Sequence, residues 1–466
     1  MTTRVQKGRR ARIVCLSSRR RELEGLRLLL ASDGLAAEVV EPTSVDAAIC
    51  AHEADLIVID AGGAATSRRD AAIEVADAAG AGGAARPVVS LCSPAAPARV
   101  KKRLAALGEV AFTPLSAPAG VAARIKSALR LRNLRDEARL RSESFGGEAD
   151  MAGAPSLPSA PRAISGRTED EAAAPMSILA IGAPSRHFLA ARAALEARSV
   201  NVVAAVSAGT AFDFLERDPF DAALAFIDDE AAQTLNICAV MRRNPRLYDT
   251  PVLAVAGPDC CEDFNQMYTR GVSDIVETPI DAEDFADRAL AHAQRFRRIV
   301  GLRRFLQDTR PARTLDAESG LFNSSFFGRH FSRLTTHAQK TGRPLSLAAF
   351  RLRDFNEVVA ADGTEAAEML LRQASETARL LVRAEDFAAR LGQDTFLIAM
   401  PSTSTEDGGV AVRRICGMLA HTRFKRRLND RGGTISLNYG LVAHNADDPI
   451  ERTVATALAT LKANAA

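Results

Sequence analysis

An internal repeat of about 165 residues dominates the sequence. Ile13–Leu16 returns as Ile178–Ile181, Asp55–Asp60 as Asp221–Asp228, Pro87–Leu91 as Pro251–Val255, and Thr113-Pro114 as Thr278-Pro279. Recurrence at a nearly fixed spacing means that one supersecondary plan is used twice. Within each copy, short apolar runs alternate with Ala/Leu/Arg-rich amphipathic stretches such as Leu23–Leu30 and Phe188–Leu195. That alternation predicts doubly wound α/β units with parallel central strands. Two sibling units therefore occupy residues 1–141 and 176–298, and residues 142–175 between them form a Gly/Ala/Pro/Ser-rich linker too poor in apolar residues to build a core.

A chain of 466 residues has room for a third domain. The Arg-rich periodic stretch Ala282–Leu306 predicts a helix that leaves the second unit as a stalk (residues 299–315) and is stopped by Pro311. From Asp316 the pattern changes. The segment Asp316–Asn323 is followed by an apolar strand at Leu345–Phe350, a helix at Glu365–Leu381, a strand, and the turn-like run Gly392-Gln393-Asp394-Thr395-Phe396. Another apolar strand and a last helix ending at Lys462 complete residues 316–466.

Composition excludes several classes of function. The 60 Lys+Arg against 57 Asp+Glu leave a net charge of +3, far short of the excess that holds DNA. Tyr is present three times and Trp not at all, which leaves little for a base-stacking platform. The seven Cys form no CxxC pair, and Cys260-Cys261 are adjacent, so reduced thiols in a cytoplasmic protein are expected. No apolar run is long enough to span a bilayer, and no membrane insertion is expected. Seven scattered His include no i, i+4 pair, so no metal site is expected from imidazole.

Each repeat resembles a response-regulator receiver domain, a flavodoxin-like (CheY-like) fold in which an Asp at the end of the third strand accepts phosphate. Asp60 holds that place and is the one possible phosphoacceptor. The family also uses an acidic pair after the first strand to hold magnesium, a Ser or Thr after the fourth, and a Lys before the Pro of the fifth. Here those places read Ser17-Ser18 and Gly182-Ala183, Cys92 and Ala256, and Thr113 and Thr278. In the second copy strict spacing puts Phe226 at the acceptor position, with Asp228 and Asp229 nearby. Without magnesium, phosphoryl transfer loses its main electrostatic support, so both copies are expected to be pseudo-receivers.

Residues 316–466 resemble a GGDEF (diguanylate cyclase) domain, a nucleotide-cyclase-like α/β fold, and the whole chain resembles the receiver, receiver, GGDEF arrangement. The resemblance implies a two-metal active site on carboxylates of a D-I-D-x-F segment and of the signature hairpin. Aligned on Phe355, both acids of that segment are arginines, Arg351 and Arg353. The guanine-reading Asn is Val359 and its partner Asp is Glu368. In the signature, Gly392 and Asp394 remain, but Gln393 and Thr395 replace Gly and Glu. Lys462 matches a phosphate-contacting Lys, whereas the Arg expected four residues later is Ala466. A guanidinium where a metal ion belongs repels that ion, so no catalytic residues and no cyclase activity are expected.

What remains is Arg383-Ala384-Glu385-Asp386, five residues before Gly392, at the spacing of the family's R-x-x-D site for the product cyclic di-GMP. The pattern alone is common here, since Arg246/Asp249 and Arg427/Asp430 also fit it; its position carries the assignment. A planar guanidinium can fork onto guanine O6 and N7 while a carboxylate accepts from N1 and N2, with no cofactor required. The opposing reading is an exposed ion pair that caps a turn. A further ligand Arg is sought at Arg413 or Arg414. Arg390 is expected to support its strand, and Lys425-Arg426-Arg427 to be a loop charge run.

The resemblance thus implies a non-catalytic cyclic di-GMP receptor in bacterial two-component and cell-cycle signalling. It further implies a homodimer, protein partners docked on the receiver units (a cell-cycle regulator or a protease adaptor), and a cell-pole location. A feedback-inhibited diguanylate cyclase and a ligand-independent scaffold stand as alternatives.

Overall fold

The computed structural model describes residues 11–62, 66–80, 86–146, 175–227, 231–244, 246–257, 264–425, 433–445 and 447–463. Two compact units are present; one holds both repeats (Ala11–Arg132 and Ala160–Gly301) and the other holds Asn133–Ser159 and Leu302–Ala466.

The first repeat runs β1 (Arg12–Leu16), α1 (Glu24–Ser32), β2 (Ala36–Val40), α2 (Asp46–Glu53), β3 (Leu56–Asp60), α3 (Thr66–Gly80), β4 (Val88–Leu91), α4 (Ala98–Leu107), β5 (Glu109–Ala111) and α5 (Pro118–Phe145). Its five strands are parallel in the order β2-β1-β3-β4-β5, the doubly wound flavodoxin-like order. The second repeat runs β6 (Ser177–Ile181), α6 (Arg186–Glu196), β7 (Asn201–Ala205), α7 (Ala208–Arg217), β8 (Ala222–Ile227), α8 (Ala231–Arg243), β9 (Val252–Ala256), α9 (Phe264–Thr269), β10 (Asp274–Glu277) and α10 (Ala282–Asp308). Its sheet, β10-β9-β8-β6-β7, is the same order read from the other edge. The central strands are apolar and buried along their whole length because helices cover both faces. Ser185 and Ser207 start α6 and α7 by accepting the orphan N–H groups of Phe188 and Thr210, both at 3.2 Å.

The repeat extends to its ion pairs. Asp55, just before β3, accepts from the Arg12 backbone N–H at 2.9 Å and faces Arg132; its counterpart Asp221 accepts from the Ser177 N–H at 2.9 Å and pairs bidentately with Arg297, both bonds at 2.7 Å. Arg132 and Arg297 stand one repeat apart. The registers Leu16↔Ile59 and Ile181↔Ala225 put Phe226 where the first copy has Asp60. Phe226 is buried against the rings of Phe188 and Phe285, so the place of the acceptor carboxylate is filled by core. Asp228 and Asp229 lie outside the described residues.

The two repeats meet through β5 and β10. Asp274 is fully buried between Arg124 (3.0 Å) and Arg288 (2.9 Å), and Glu109, one repeat earlier, pairs with Arg124 and Arg295. Burial pushes the Asp274 carboxyl up, but Arg124, Arg288 and His292 overrule it and hold the group well below the usual carboxylate range. Arg288 also lies over the Phe112 ring at 4.7 Å. Gly120 of α5 admits the Tyr268 ring, which a Cβ would approach to 2.7 Å.

The second unit contains the end of α5, the end of α10, a 3₁₀ turn (Ala312–Thr314), α11 (Ser324–Thr341), β11 (Leu345–Leu352), α12 (Phe355–Asp362), α13 (Thr364–Leu381), β12 (Phe387–Arg390), β13 (Thr395–Pro401), α14 (Thr405–His421), β14 (Leu437–Ala443) and α15 (Ile450–Ala463). Its sheet β12-β13-β11-β14 is antiparallel, with helices packed on both faces. Helix α5 corrects the expected boundary at residue 141, because it runs through Ser142–Phe145, residues placed in the linker on composition. The physical reason is Phe145, whose ring stacks on Phe326 at 5.0 Å and fixes that last turn in an apolar cluster. Residues 147–174 of the linker lie outside the described residues, as do Cys260 and Cys261. The other five Cys form no disulfide among the described residues.

Asp274→Asn should lower the unfolding free energy by about 3–5 kcal/mol, because it takes the carboxylate from buried Arg288 and leaves buried Arg124 with Glu109 alone. Glu283→Gln, which removes an exposed partner of Arg198, should cost under about 1 kcal/mol. Urea unfolding of the two variants measures the difference, and equal losses would contradict the assigned role of Asp274.

Candidate functional site

Antiparallel pairing of β11 with β13 sets Arg351 directly opposite Thr395 at the mouth of the turn Gly392-Gln393-Asp394. Arg351 Nε donates to Thr395 Oγ1 at 3.2 Å and stands 3.6 Å from Asp394 Oδ2, while Thr395 Oγ1 donates to Asp394 Oδ1 at 2.7 Å. The surviving acid of the hairpin is thus already occupied by a guanidinium and a hydroxyl. Asp354, the nearest acid on the facing segment, accepts from the Ser436 N–H at 2.8 Å. Arg353 is exposed, Val359 packs partly against the core, and Glu368 is half-buried. Lys462 lies in the last turn of α15, with its side chain outside the described residues. Among the described residues no cluster of three His, Cys, Asp or Glu could hold a metal ion. A two-magnesium centre, which needs several carboxylate oxygens converging, does not fit this set.

The hairpin itself is firmly built. Arg390, at the end of β12, donates to the carbonyls of Gly392 (2.8 Å) and Gln393 (3.2 Å) and pairs with Asp316 (3.0 Å) and Glu318. It therefore ties the turn to the Asp316–Leu321 loop, as the expected strand-supporting role requires.

Helix α13 ends at Leu381, and the chain turns through Arg383–Asp386 into β12. Asp386 Oδ2 accepts from the Arg383 backbone N–H at 3.1 Å, and the Asp386 N–H returns a bond to the Arg383 carbonyl at 3.0 Å. The turn is closed by these two bonds. The Arg383 guanidinium is exposed and makes no hydrogen bond or ion pair among the described residues, so the capping ion pair does not form. Asp386 is buried, and its Oδ1 has no hydrogen-bond partner. Burial, helped by Glu385 and Glu137 and opposed by Arg383 and its backbone N–H, pushes the Asp386 carboxyl up to about 7. On α14, Arg414 donates to the Leu381 carbonyl at 3.0 Å and so caps α13 beside the turn, whereas Arg413 is exposed.

The "Diguanylate cyclase, GGDEF domain" family model matches residues 313–465. Residues 313–465 form a GGDEF domain. Response regulator PleD of Caulobacter vibrioides is 27% identical over 220 residues, which cover 46% of this chain and 48% of PleD. Diguanylate cyclase DosC of Escherichia coli K12 is 28% identical over 140 residues, 30% of each chain. The chain spans about half the length of one relative and under a third of the other. Among solved structures, the GGDEF domain of DgcB from Caulobacter crescentus in complex with c-di-GMP is 21% identical, with a TM-score of 0.32, over 33% of this chain and 91% of that one. No helix among the described residues is long and apolar enough to cross a membrane.

Sequence reasoning missed the residues that hold the turn of the GGDEF domain from behind. Arg141, near the end of α5, donates to the carbonyls of Ala384 (3.4 Å) and Asp386 (3.3 Å) and pairs with buried Glu137 at 2.6 Å. Glu137 Oε1 also faces His330 Nε2 at 2.9 Å. Ser144 spends its hydroxyl hydrogen on the Leu140 carbonyl, so His330 Nδ1, 3.0 Å away, is the donor to Ser144 Oγ. Burial raises the Glu137 carboxyl, but His330 and Arg141 hold it below its usual value. The i, i+4 spacing of Glu137 and Arg141 was legible in the sequence, but a partner in a segment about 190 residues further along was not.

In the first repeat Asp60 is buried at the end of β3. Arg19 grips it with two bonds of 2.9 and 2.5 Å, and Ser17 Oγ adds a third at 2.6 Å. Arg19 was not singled out from the sequence because it lies just beyond the Ser17-Ser18 exit where acids were sought.

Arg141→Ala should cost about 3–5 kcal/mol of unfolding free energy, since it leaves the buried Glu137 with one fewer cation. A loss below about 1 kcal/mol, measured by urea denaturation, would contradict this network.

Proposed function

We propose that this protein is a non-catalytic cyclic di-GMP receptor or adaptor in bacterial signalling, a degenerate PopA-like member of the PleD-type receiver, receiver, GGDEF group. The observation that carries the reading is the contrast between two arginines of one domain. Arg351 is spent on Asp394 at the metal position, while Arg383 offers a guanidinium unpaired among the described residues beside a buried carboxylate whose Oδ1 lacks a donor there. In this reading Arg383 forks onto guanine O6 and N7, and Asp386 accepts from the N1 and N2 hydrogens. In this reading Arg413 or Arg414 supplies a further anion contact, and Arg414 is the one that bonds the Leu381 carbonyl beside the turn. The likeness to a response regulator supports a signalling role. The receiver-like units then serve homodimerisation or the docking of a cell-cycle regulator or protease adaptor at the cell pole, with no part for DNA. Asp60, gripped by Arg19 and Ser17, accepts no phosphate in this account.

Calorimetric titration of the full chain with cyclic di-GMP tests the reading. Micromolar binding that Arg383→Ala weakens at least tenfold is expected, as for loss of a charge-assisted contact. Absent binding, or binding untouched by the substitution, would favour a ligand-independent scaffold. Synthesis of cyclic di-GMP from GTP and magnesium would instead make the protein a feedback-inhibited cyclase. Labelling of Asp60 by acetyl phosphate with magnesium would overturn the pseudo-receiver assignment.

The raised Asp386 carboxyl gives the site a pH dependence. Only the ionised form accepts both guanine hydrogens, so binding below pH 7 must first expel a proton. Raising the pH from 6 to 8 should therefore tighten binding about tenfold. Asp386→Asn should weaken binding and flatten that profile, and a pH-independent wild type would contradict the assignment.

A further inference from the structure

A cleft of about 400 Å³ opens in the GGDEF domain between the Ala317–Leu321 loop and α13. Its loop wall is the one that Arg390 ties to the hairpin, and none of its residues is assigned above to a ligand. Arg372, Ser375, Glu376 and Arg379 line it at i, i+3, i+4 and i+7, one stripe of α13. Arg310 closes the opposite side, lying over the Phe322 ring at 5.1 Å and donating to the Gly320 carbonyl. The loop wall is rigid. Ser319 N–H and Oγ bond Asp316 Oδ1 at 2.8 and 2.7 Å, Arg372 Nε donates to the Glu318 carbonyl at 3.1 Å, and Gly320 takes a left-handed φ of 66°.

The charges in this cleft do not balance. Glu318 is committed to Arg390, which leaves Glu376 as the one uncommitted acid against three arginines. Arg379 makes no ion pair among the described residues, and it helps burial and Arg141 to push the Arg310 guanidinium down to about 10. The floor is polar and unsatisfied. Ser375 is fully buried, and its Oγ has no hydrogen-bond partner among the described residues, whereas Thr377 two residues on bonds the Gln373 carbonyl in the ordinary helical way at 2.9 Å. An orphaned hydroxyl under converging guanidinium groups is a donor set in want of acceptors.

The geometry points to a second ligand site here, for a small phosphate-bearing molecule whose phosphate oxygens take the forks of Arg310, Arg372 and Arg379 and the hydroxyl hydrogen of Ser375. Arginine suits this task because its planar fork matches the tetrahedral oxyanion two bonds at a time. The site is independent of the cyclic di-GMP reading and stands if that reading fails.

Calorimetry on the full chain at about 0.15 M salt, where an exposed charge patch alone is screened, tests the site. The probes are inorganic phosphate and adenosine 5′-monophosphate, which separate a free-phosphate site from a phosphomonoester site. Saturable binding of at least one probe is expected. Arg379→Ala should weaken it about tenfold, Ser375→Ala should weaken it less, and Arg379→Lys should restore it in part. Arg383→Ala should leave it unchanged. No saturable binding of either probe, binding indifferent to Arg379→Ala, or binding lost in Arg383→Ala would overturn the proposal. Arg379 is exposed and unpaired, so its loss does not threaten the fold, and circular dichroism of the variant checks that directly.

Discussion

Buried carboxylates in this protein are held by arginine. Asp55, Asp221, Asp274, Glu109 and Glu137 each sit in or beside a core, and each is met by at least one guanidinium. A carboxylate taken out of water costs several kcal/mol unless a partner of opposite charge and satisfied geometry goes with it, and removal of either partner exposes that cost. These pairs therefore act as keys to register and packing. Asp55 and Asp221 clamp the start of corresponding strands, Asp274 fastens one repeat to the other, and Glu137 seats the end of α5 under the GGDEF sheet. Against that background Asp386 and Glu385 stand out, as buried acids that pair with no arginine among the described residues and whose Oδ1 and Oε2 lack a hydrogen-bond partner there.

The fold was largely legible because two periodicities were strong. The spacing of about 165 residues put the first, third and fourth strands of both repeats in place, and the apolar strands read after Asp316 are β11, β12 and β13, whereas β14 and the helices α11, α12 and α14 were not read. In the second copy, spacing put Phe226 at the acceptor position, and the strand register agrees. The end of α5 could not be read that way. Ser142, Ser144 and Gly146 look like linker by composition, yet Leu140 and Phe145 bury in an aromatic cluster formed with residues far ahead in the chain. Composition weighs each residue alone, whereas tertiary contact decides such borderline turns.

The candidate sites divide in the same way. Arg351 and Asp394 were found because an alignment of types fixes them on facing strands. Their mutual pairing, the exposed and unpaired state of Arg383, and the orphaned oxygen of Asp386 needed coordinates. Arg141 and the α13 cleft were invisible for a simpler reason. In a chain with 60 basic residues, an arginine acquires meaning only from what it faces.

Arg19 on Asp60 and Arg351 near Asp394 share one property whose consequence reaches beyond electrostatics. A guanidinium is covalently part of the chain. It cannot be chelated away, outcompeted by another divalent ion, or depleted when the cell's magnesium pool falls, and it arrives with every copy at a fixed ratio of one to one. At both positions the cation is therefore supplied by translation rather than by the surrounding solution.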